Sequence, residues 1–339
     1  MYRGFLTIVT LIIMSTGSAT LGSAGAQDNP PTFFRIGTGG VNGTYYPIGA
    51  IIGNAISNPA GSRPCAVGGS CGVPNLIALA VSSNGSVANV EAIARGELDS
   101  GFAQADVAHH AYFGTGPFAD RAPLTELRII ASLYAERMQL VARHGSGITS
   151  IADLAGKRVS LDEPGSGTLI MARGLLEAHG LSESQVIAEY MKPGPATSLM
   201  QRDELDAFFI VAGVPTNAVM DLIRAGTASL VPIYGPGVDN LLTERPFLSR
   251  APIPAGTYGA DTPEIASIGV AAQWVVAASV PEEQVYAICL ALWNDATRTL
   301  LDGGHPTGRQ IRLEAALDGV NVPLHPGAKR CYADLGVTR

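Results

Sequence analysis

The sequence predicts an α/β protein of two lobes. Each lobe is a mostly parallel sheet flanked by helices, and two crossover segments join them. Three observations predict it. A strand, a Gly-rich turn and a helix recur in the same order in two parts of the chain. Both series carry Glu-Leu-Asp before their third strand, at Glu97, Leu98, Asp99 and at Glu204, Leu205, Asp206. Each series is followed by a long extended segment of the kind needed to pass from one sheet into another.

In the first series, FFRIG (33–37) reads as a strand and GTGGVNGTYYPIG (37–49) as the turn that opens a helix. Ile48, Ile51, Ile52, Ala55 and Ile56 recur there at helical spacing. LIALAVSS is the second strand and NGS its turn. Val87, Val90, Ile93 and Ala94 face inward from the next helix, and ELDSGFAQAD holds the third strand. In the second series KRVSLDE is a strand, PGSGT a turn, and Leu169, Ala172, Leu175 and Leu176 one helix face. VIAEYM, the turn KPGPATS, a short helix LMQRD and the strand ELDAFFIVAG follow.

LRIIASLY runs through Ala135, Glu136 and Arg137 into MQLVAR without a turn signal, and IGVAAQWVVAAS is the second long segment. These crossovers place lobe 1 at residues 27–135 plus 256–339 and lobe 2 at residues 136–255. PEEQVYAICLALWNDATRTL reads as a helix returning to lobe 1, with Pro281 in its first turn.

Residues 1–26 read as a removed signal peptide. Arg3 precedes the apolar run FLTIVTLIIM, and small residues lead to Ala24, Gly25 and Ala26. The run is too short to span a bilayer, so the expected location is the periplasm. The formal net charge is −7, with lysine only at Lys157, Lys192 and Lys329. That balance argues against nucleic acid or an acidic membrane as partner. An oxidising compartment permits disulfides. Cys65 and Cys71 enclose only AVGGS, whose glycines let the loop fold back, so this pair is the expected bridge. Cys289 and Cys331 then pair or stay free.

In parallel α/β sheets, ligands collect beyond the C-terminal ends of strands. The four Gly-rich turns therefore line the two walls of a cleft. Each offers free N–H groups and the positive end of a helix dipole, and together they make an anion site without a lysine. Glu163 is the acid counted in these turns. The candidate ligand-binding residues in lobe 1 are Gly39, Gly43, Thr44, Tyr45, Gly85, Ser86, Gln104 and Asp106. Those in lobe 2 are Ser166, Gly167, Thr168 and Gly213. A carboxylate is expected near Ser166, Gly167 and Thr168. Tyr45 rather than Tyr46 is expected at the pocket, and Asp106 is equally readable as a helix cap.

Sharper motifs fail. Gly37 and Gly39 begin a dinucleotide fingerprint, but Asn42 takes its last position, and no Gly-Lys-Ser/Thr follows. Ser166 has Pro164 and Thr168 where a nucleophile elbow needs glycines. None of His109, His110, His144, His179, His305 and His325 sits in a nucleophile or metal pattern. Asp106 and His110, four residues apart, read as a local hydrogen-bonded pair. No catalytic residue, cofactor or metal is expected. The competing classes are a sensory input protein presenting ligand to a receptor kinase, and a hydrolase or lyase using the same cleft.

IGTGGVNGTYYPIG, SSNGSVANV, RGELDSGFAQAD, DLAGKRVSLDEPGSG, DAFFIVAGVP and PLHPGAKR occur in this order across the chain. Together they resemble the TAXI-family solute receptors of TRAP transporters. The resemblance implies the two-lobed fold of type II periplasmic binding proteins. A monomer is expected. It also implies delivery of a small organic anion to TRAP membrane permease subunits. Glutamate, glutamine or a five-carbon dicarboxylate such as 2-oxoglutarate is the implied ligand. Ser100, Ala105 and Cys331 depart from the family's usual bulky apolar, Ser and aromatic residues. The departure at Cys331 favours a Cys289–Cys331 bridge, and the one at Ala105 lies beside two candidate site residues.

Overall fold

The structure, a computed structural model, describes residues 30–337 and Met1, so the expected signal peptide lies outside the described residues. The first half begins β1 (Thr32–Gly37), α1 (Tyr45–Ile56), β2 (Ser57–Asn58), β3 (Val73–Pro74) and β4 (Leu76–Val81). It continues α2 (Ser86–Ala94), β5 (Ser100–Gln104) and α3 (Ala105–Phe113) before the long strand β6 (Leu127–Arg143). The second half begins β7 (Arg158–Ser160), α4 (Gly167–Ala178), β8 (Ile187–Glu189), α5 (Pro193–Gln201) and β9 (Ala207–Ala212). It continues α6 (Asn217–Arg224), β10 (Ala228–Val231), α7 (Pro236–Glu244) and β11 (Ser249–Arg250). The chain returns through β12 (Ile268–Ala277) and ends in α8 (Glu282–Leu292), α9 (Asp295–Gly304) and α10 (Pro326–Asp334).

The main sheet has the order β4-β1-β5-β12-β6-β9-β7-β8. Pairing within β4-β1-β5 and within β8-β7-β9 is parallel, while β12 and β6 run antiparallel to their neighbours. The halves therefore mirror each other in connectivity, each closing on the strand that came from the other. This is the two-lobed α/β architecture, with β6 and β12 as the crossover segments.

Strands covered on both faces read as near-continuous apolar runs. All six residues of β9, AFFIVA, are buried, with Phe208 and Phe209 facing separate cores. Trp274 and Val275 divide the same way in the first half. Along β12, Ile268 and Val270 belong to a core of the second half, and Ala272, Trp274 and Val276 to one of the first. On β6 the change falls between Tyr134 and Met138. Residues 256–267, placed in lobe 1 by the sequence reading, carry Tyr258 and Ile265, which pack in the second half.

The repeated Glu-Leu-Asp has a structural cause. Leu98 and Leu205 are buried, and each Asp anchors the first strand of its half. Asp99 accepts the Arg35 backbone N–H at 2.7 Å and its guanidinium at 2.9 Å. Asp206 accepts the Arg158 backbone N–H at 2.9 Å, and Arg143 of β6 reaches it at 3.0 Å. Burial works against ionisation of Asp206. The Arg158 backbone N–H and the two guanidinium groups prevail and hold its carboxyl at about 2.

Two helices differ from expectation. KPGPATS is not a turn before a helix; α5 already starts at Pro193, where a missing N–H costs little. PEEQVYAICLALWNDATRTL is two helices, because the Asn294 side chain accepts the Thr297 N–H at 2.8 Å and caps a new start. Both disulfides are formed, Cys65–Cys71 within the insertion after α1 and Cys289–Cys331 between α8 and α10. Among the described residues no helix is long and apolar enough to cross a membrane.

Candidate functional site

Four helices begin at one cavity. Tyr45, Ser86, Gly167 and Pro193 are the first residues of α1, α2, α4 and α5, and all four line it with the preceding Thr44, Gly85, Ser166 and Lys192. Each helix start leaves backbone N–H groups without an intrahelical partner, so donors and positive dipole ends converge. The cavity measures about 60 Å³. A cavity needs about 10–15 Å³ to admit one water, so this one holds more than a single water.

The walls belong to different halves and touch. The Thr44 hydroxyl donates to the Gly213 carbonyl at 2.9 Å. Ala88 N–H donates to Gly165 O at 3.0 Å and the Asn84 amide to Pro164 O at 3.1 Å. Gly85 stands at this meeting point, before the first residue of α2. Its φ of 107° lies in the region that favours glycine.

Ten of the twelve candidate residues line this cavity. Gly213 stands one residue beyond the lining Ala212, as the acceptor for Thr44. Asp106 is not there: it lines a separate cavity of about 490 Å³ with His110, Arg173 and Arg245. The helix turns it away, since α3 starts immediately after Gln104. Nor does Asp106 pair with His110, whose Nδ1 meets the Thr115 hydroxyl at 2.9 Å. Tyr45 lines the cavity, and Tyr46 is not among its lining residues. His325 sits in a structural turn, accepting the Gly327 N–H and donating to Val280 O at 3.0 Å.

The lining hydroxyls are already engaged. Ser166 accepts the Leu169 N–H at 3.1 Å and Thr168 accepts the Val211 N–H at 3.1 Å. A hydroxyl that accepts a backbone N–H still has its own proton to donate. Thr168 is therefore also a strut between α4 and β9, not a purely cleft-facing group.

The sequence reading missed three charged residues here. Lys192 lines the cavity and pairs with Glu163 at 3.2 Å, so the site does hold a lysine. Asp162 and Glu136 line it too, so Glu163 is not its one acid. Asp162 has a φ of 72°, a left-handed position that Asp tolerates better than most residues. Burial raises its carboxyl to about 6, partly offset by the Glu163 backbone N–H and the Thr168 hydroxyl. Glu136 of β6 is 1% exposed and accepts the Tyr45 hydroxyl at 2.7 Å. Burial raises Glu136 to about 8 against the Tyr45 hydrogen bond, and the charge of Asp106 adds to the rise. An acid inside the apolar run of β6 was the legible signal for Glu136.

A carboxyl raised in the folded state binds its proton more tightly there than when unfolded. Its stabilising share is complete below about 4.5 and is lost as pH rises towards 8. The melting temperature of ligand-free protein is thus expected to fall between about pH 5 and 8, and Glu136→Gln to flatten that fall. Calorimetry across this range checks it; equal slopes in both proteins would refute the assignment to Glu136. Among the described residues no group of three or more His, Cys, Asp or Glu is placed to hold a metal ion.

Some solved structures share this fold at a TM-score of 0.50 or above. PhnD1 from Prochlorococcus marinus MIT 9301, solved with methylphosphonate, superposes with a TM-score of 0.51 at 11% identity, covering 90% of this chain and 99% of that one. A Bordetella bronchiseptica RB50 protein gives 0.50 at 13%, covering 89% and 80%. The alkanesulfonate-binding protein SsuA from Xanthomonas axonopodis pv. citri, bound to MOPS, gives 0.46 at 16%, covering 90% and 84%. The model of the NMT1-like family matches residues 36–336, nearly all of the described chain, and the protein belongs to that family.

Proposed function

We propose that this chain is a periplasmic solute-binding protein. It captures a small organic anion between its two lobes and delivers it to TRAP membrane permease subunits. Glutamate, glutamine and five-carbon dicarboxylates such as 2-oxoglutarate are the ligand class. Lobe 1 carries the α1 and α2 wall and lobe 2 the α4 and α5 wall, with β6 and β12 as the hinge. The observation that carries this reading is the convergence of four helix N-termini and Lys192 on one small cavity between the halves. Such donors favour an anion, and walls on separate lobes favour capture by closure. Two disulfides and the apolar leader fit an exported protein.

A thermal-shift screen of the purified protein tests it. Glutamate, glutamine, 2-oxoglutarate and glutarate form the carboxylate arm, with methylphosphonate, neutral sugars and simple cations as separate arms. A bound ligand at about 100 times its Kd adds about 2.7 kcal/mol of stability, a clear rise in melting temperature. A response confined to sugars or cations would refute the anion reading. A response confined to methylphosphonate would replace the carboxylate by another oxyanion.

A further inference from the structure

We propose that Glu136 determines specificity by requiring an amine on the ligand, with Gln104 as its partner in an ammonium subsite. The inference rests on the central cavity being the ligand site. The cavity offers acceptors as well as donors. On the second-half side, α4 and α5 present their N-termini and Lys192, beside the carboxyls of Asp162 and Glu163. The first-half side adds two buried acceptors to the N-termini of α1 and α2. Glu136 is buried on β6, with Oε2 taking the Tyr45 hydroxyl. Gln104 is 2% exposed, and its buried Oε1 has no hydrogen-bond partner.

Charge balance points the same way. Three carboxyl groups line the cavity, those of Glu136, Asp162 and Glu163, against the single ammonium of Lys192. Lys192 is already paired with Glu163. A diacid without an amine would bring two further carboxylates and no cation. An amino acid brings the missing cation, and its ammonium has three N–H donors for acceptors such as Glu136 and Gln104. Burial without a cation also disfavours the ionised Glu136, and a neighbouring ammonium reverses that. The ligand carboxylate is left to the helix N-termini across the cavity.

Calorimetric titration of the purified protein tests this with paired ligands, L-glutamate against 2-oxoglutarate and glutarate. The wild-type protein should bind glutamate at least about tenfold more tightly than either partner lacking the amine. Glu136→Gln keeps the shape, removes the charge, and should lower glutamate affinity about tenfold or more while changing 2-oxoglutarate affinity less than about threefold. The wild-type comparison needs no variant, so a poorly folding mutant leaves the test intact. Equal wild-type affinity for glutamate and 2-oxoglutarate would overturn the ammonium subsite and leave the anion cleft standing. An equal loss for both ligands in Glu136→Gln would overturn the role of Glu136. Binding of none of these carboxylates would overturn the cleft assignment and this inference together.

Discussion

Replacing Cys289 and Cys331 together by alanine is expected to lower the unfolding free energy by about 4 kcal/mol, about twice the loss from removing the Cys65–Cys71 bridge. The bridges differ in the chain they close. Cys289 and Cys331 are 42 residues apart, Cys65 and Cys71 only 6. A longer closed loop removes more freedom from the unfolded chain. Location adds to the contrast. Cys289 and Cys331 are fully buried and tie α8 to α10 in the first-half core. Cys65 is exposed and Cys71 only half-buried, in an insertion at the surface. Urea unfolding of the two double mutants, followed by circular dichroism, measures both losses. Equal losses, or a larger one for Cys65 and Cys71, would contradict the account.

Gly167→Val is expected to weaken ligand binding about 10- to 100-fold while leaving the ligand-free fold in place. Gly167 opens α4 and faces Gln104 across the cavity. A Cβ at Gly167 would lie 2.5 Å from the end of the Gln104 side chain, so that buried side chain would have to move. Its φ is not in the left-handed region, so α4 itself can accept a side chain. The cost therefore falls on the approach of the lobes, since neither wall surrounds the ligand alone. Titration calorimetry should show the loss, and small-angle scattering with ligand should show a larger radius of gyration than wild type. Wild-type affinity in this variant would remove closure onto Gln104 from the mechanism. Thr168→Val would be a poorer probe, because it also strands the Val211 N–H on β9.

Much of the architecture was legible in short patterns. Six consecutive buried residues in β9, the periodic isoleucines of α1 and the turn glycines each act within a few residues of chain. The two Glu-Leu-Asp copies revealed the duplicated order, and Asp99 and Asp206 show why it recurs. The long extended segment through Ala135 was readable because no turn residue interrupts it, and β6 is continuous there. Helix boundaries were less legible. One Asn side chain divides α8 from α9, and two prolines begin α5 where they looked like a turn.

The candidate site divides in the same way. Its turns were visible because glycine and small hydroxyl residues mark a strand passing into a helix, and ten of the twelve named residues line one cavity. The charges that decide its chemistry were not. Lys192 belongs to the site because it reaches Glu163 in the neighbouring strand-to-helix connection, and Asp162 because a left-handed backbone points it there. Asp106 left the site because a helix starts one residue earlier and rotates it into another cavity. Glu136 stands on a crossover strand, where its burial depends on both lobes at once. Strand, helix and turn are set by neighbours along the chain. Burial, ion pairing and the proton affinity of a carboxyl are set by whatever folds against it from far away, and only the assembled lobes supply that.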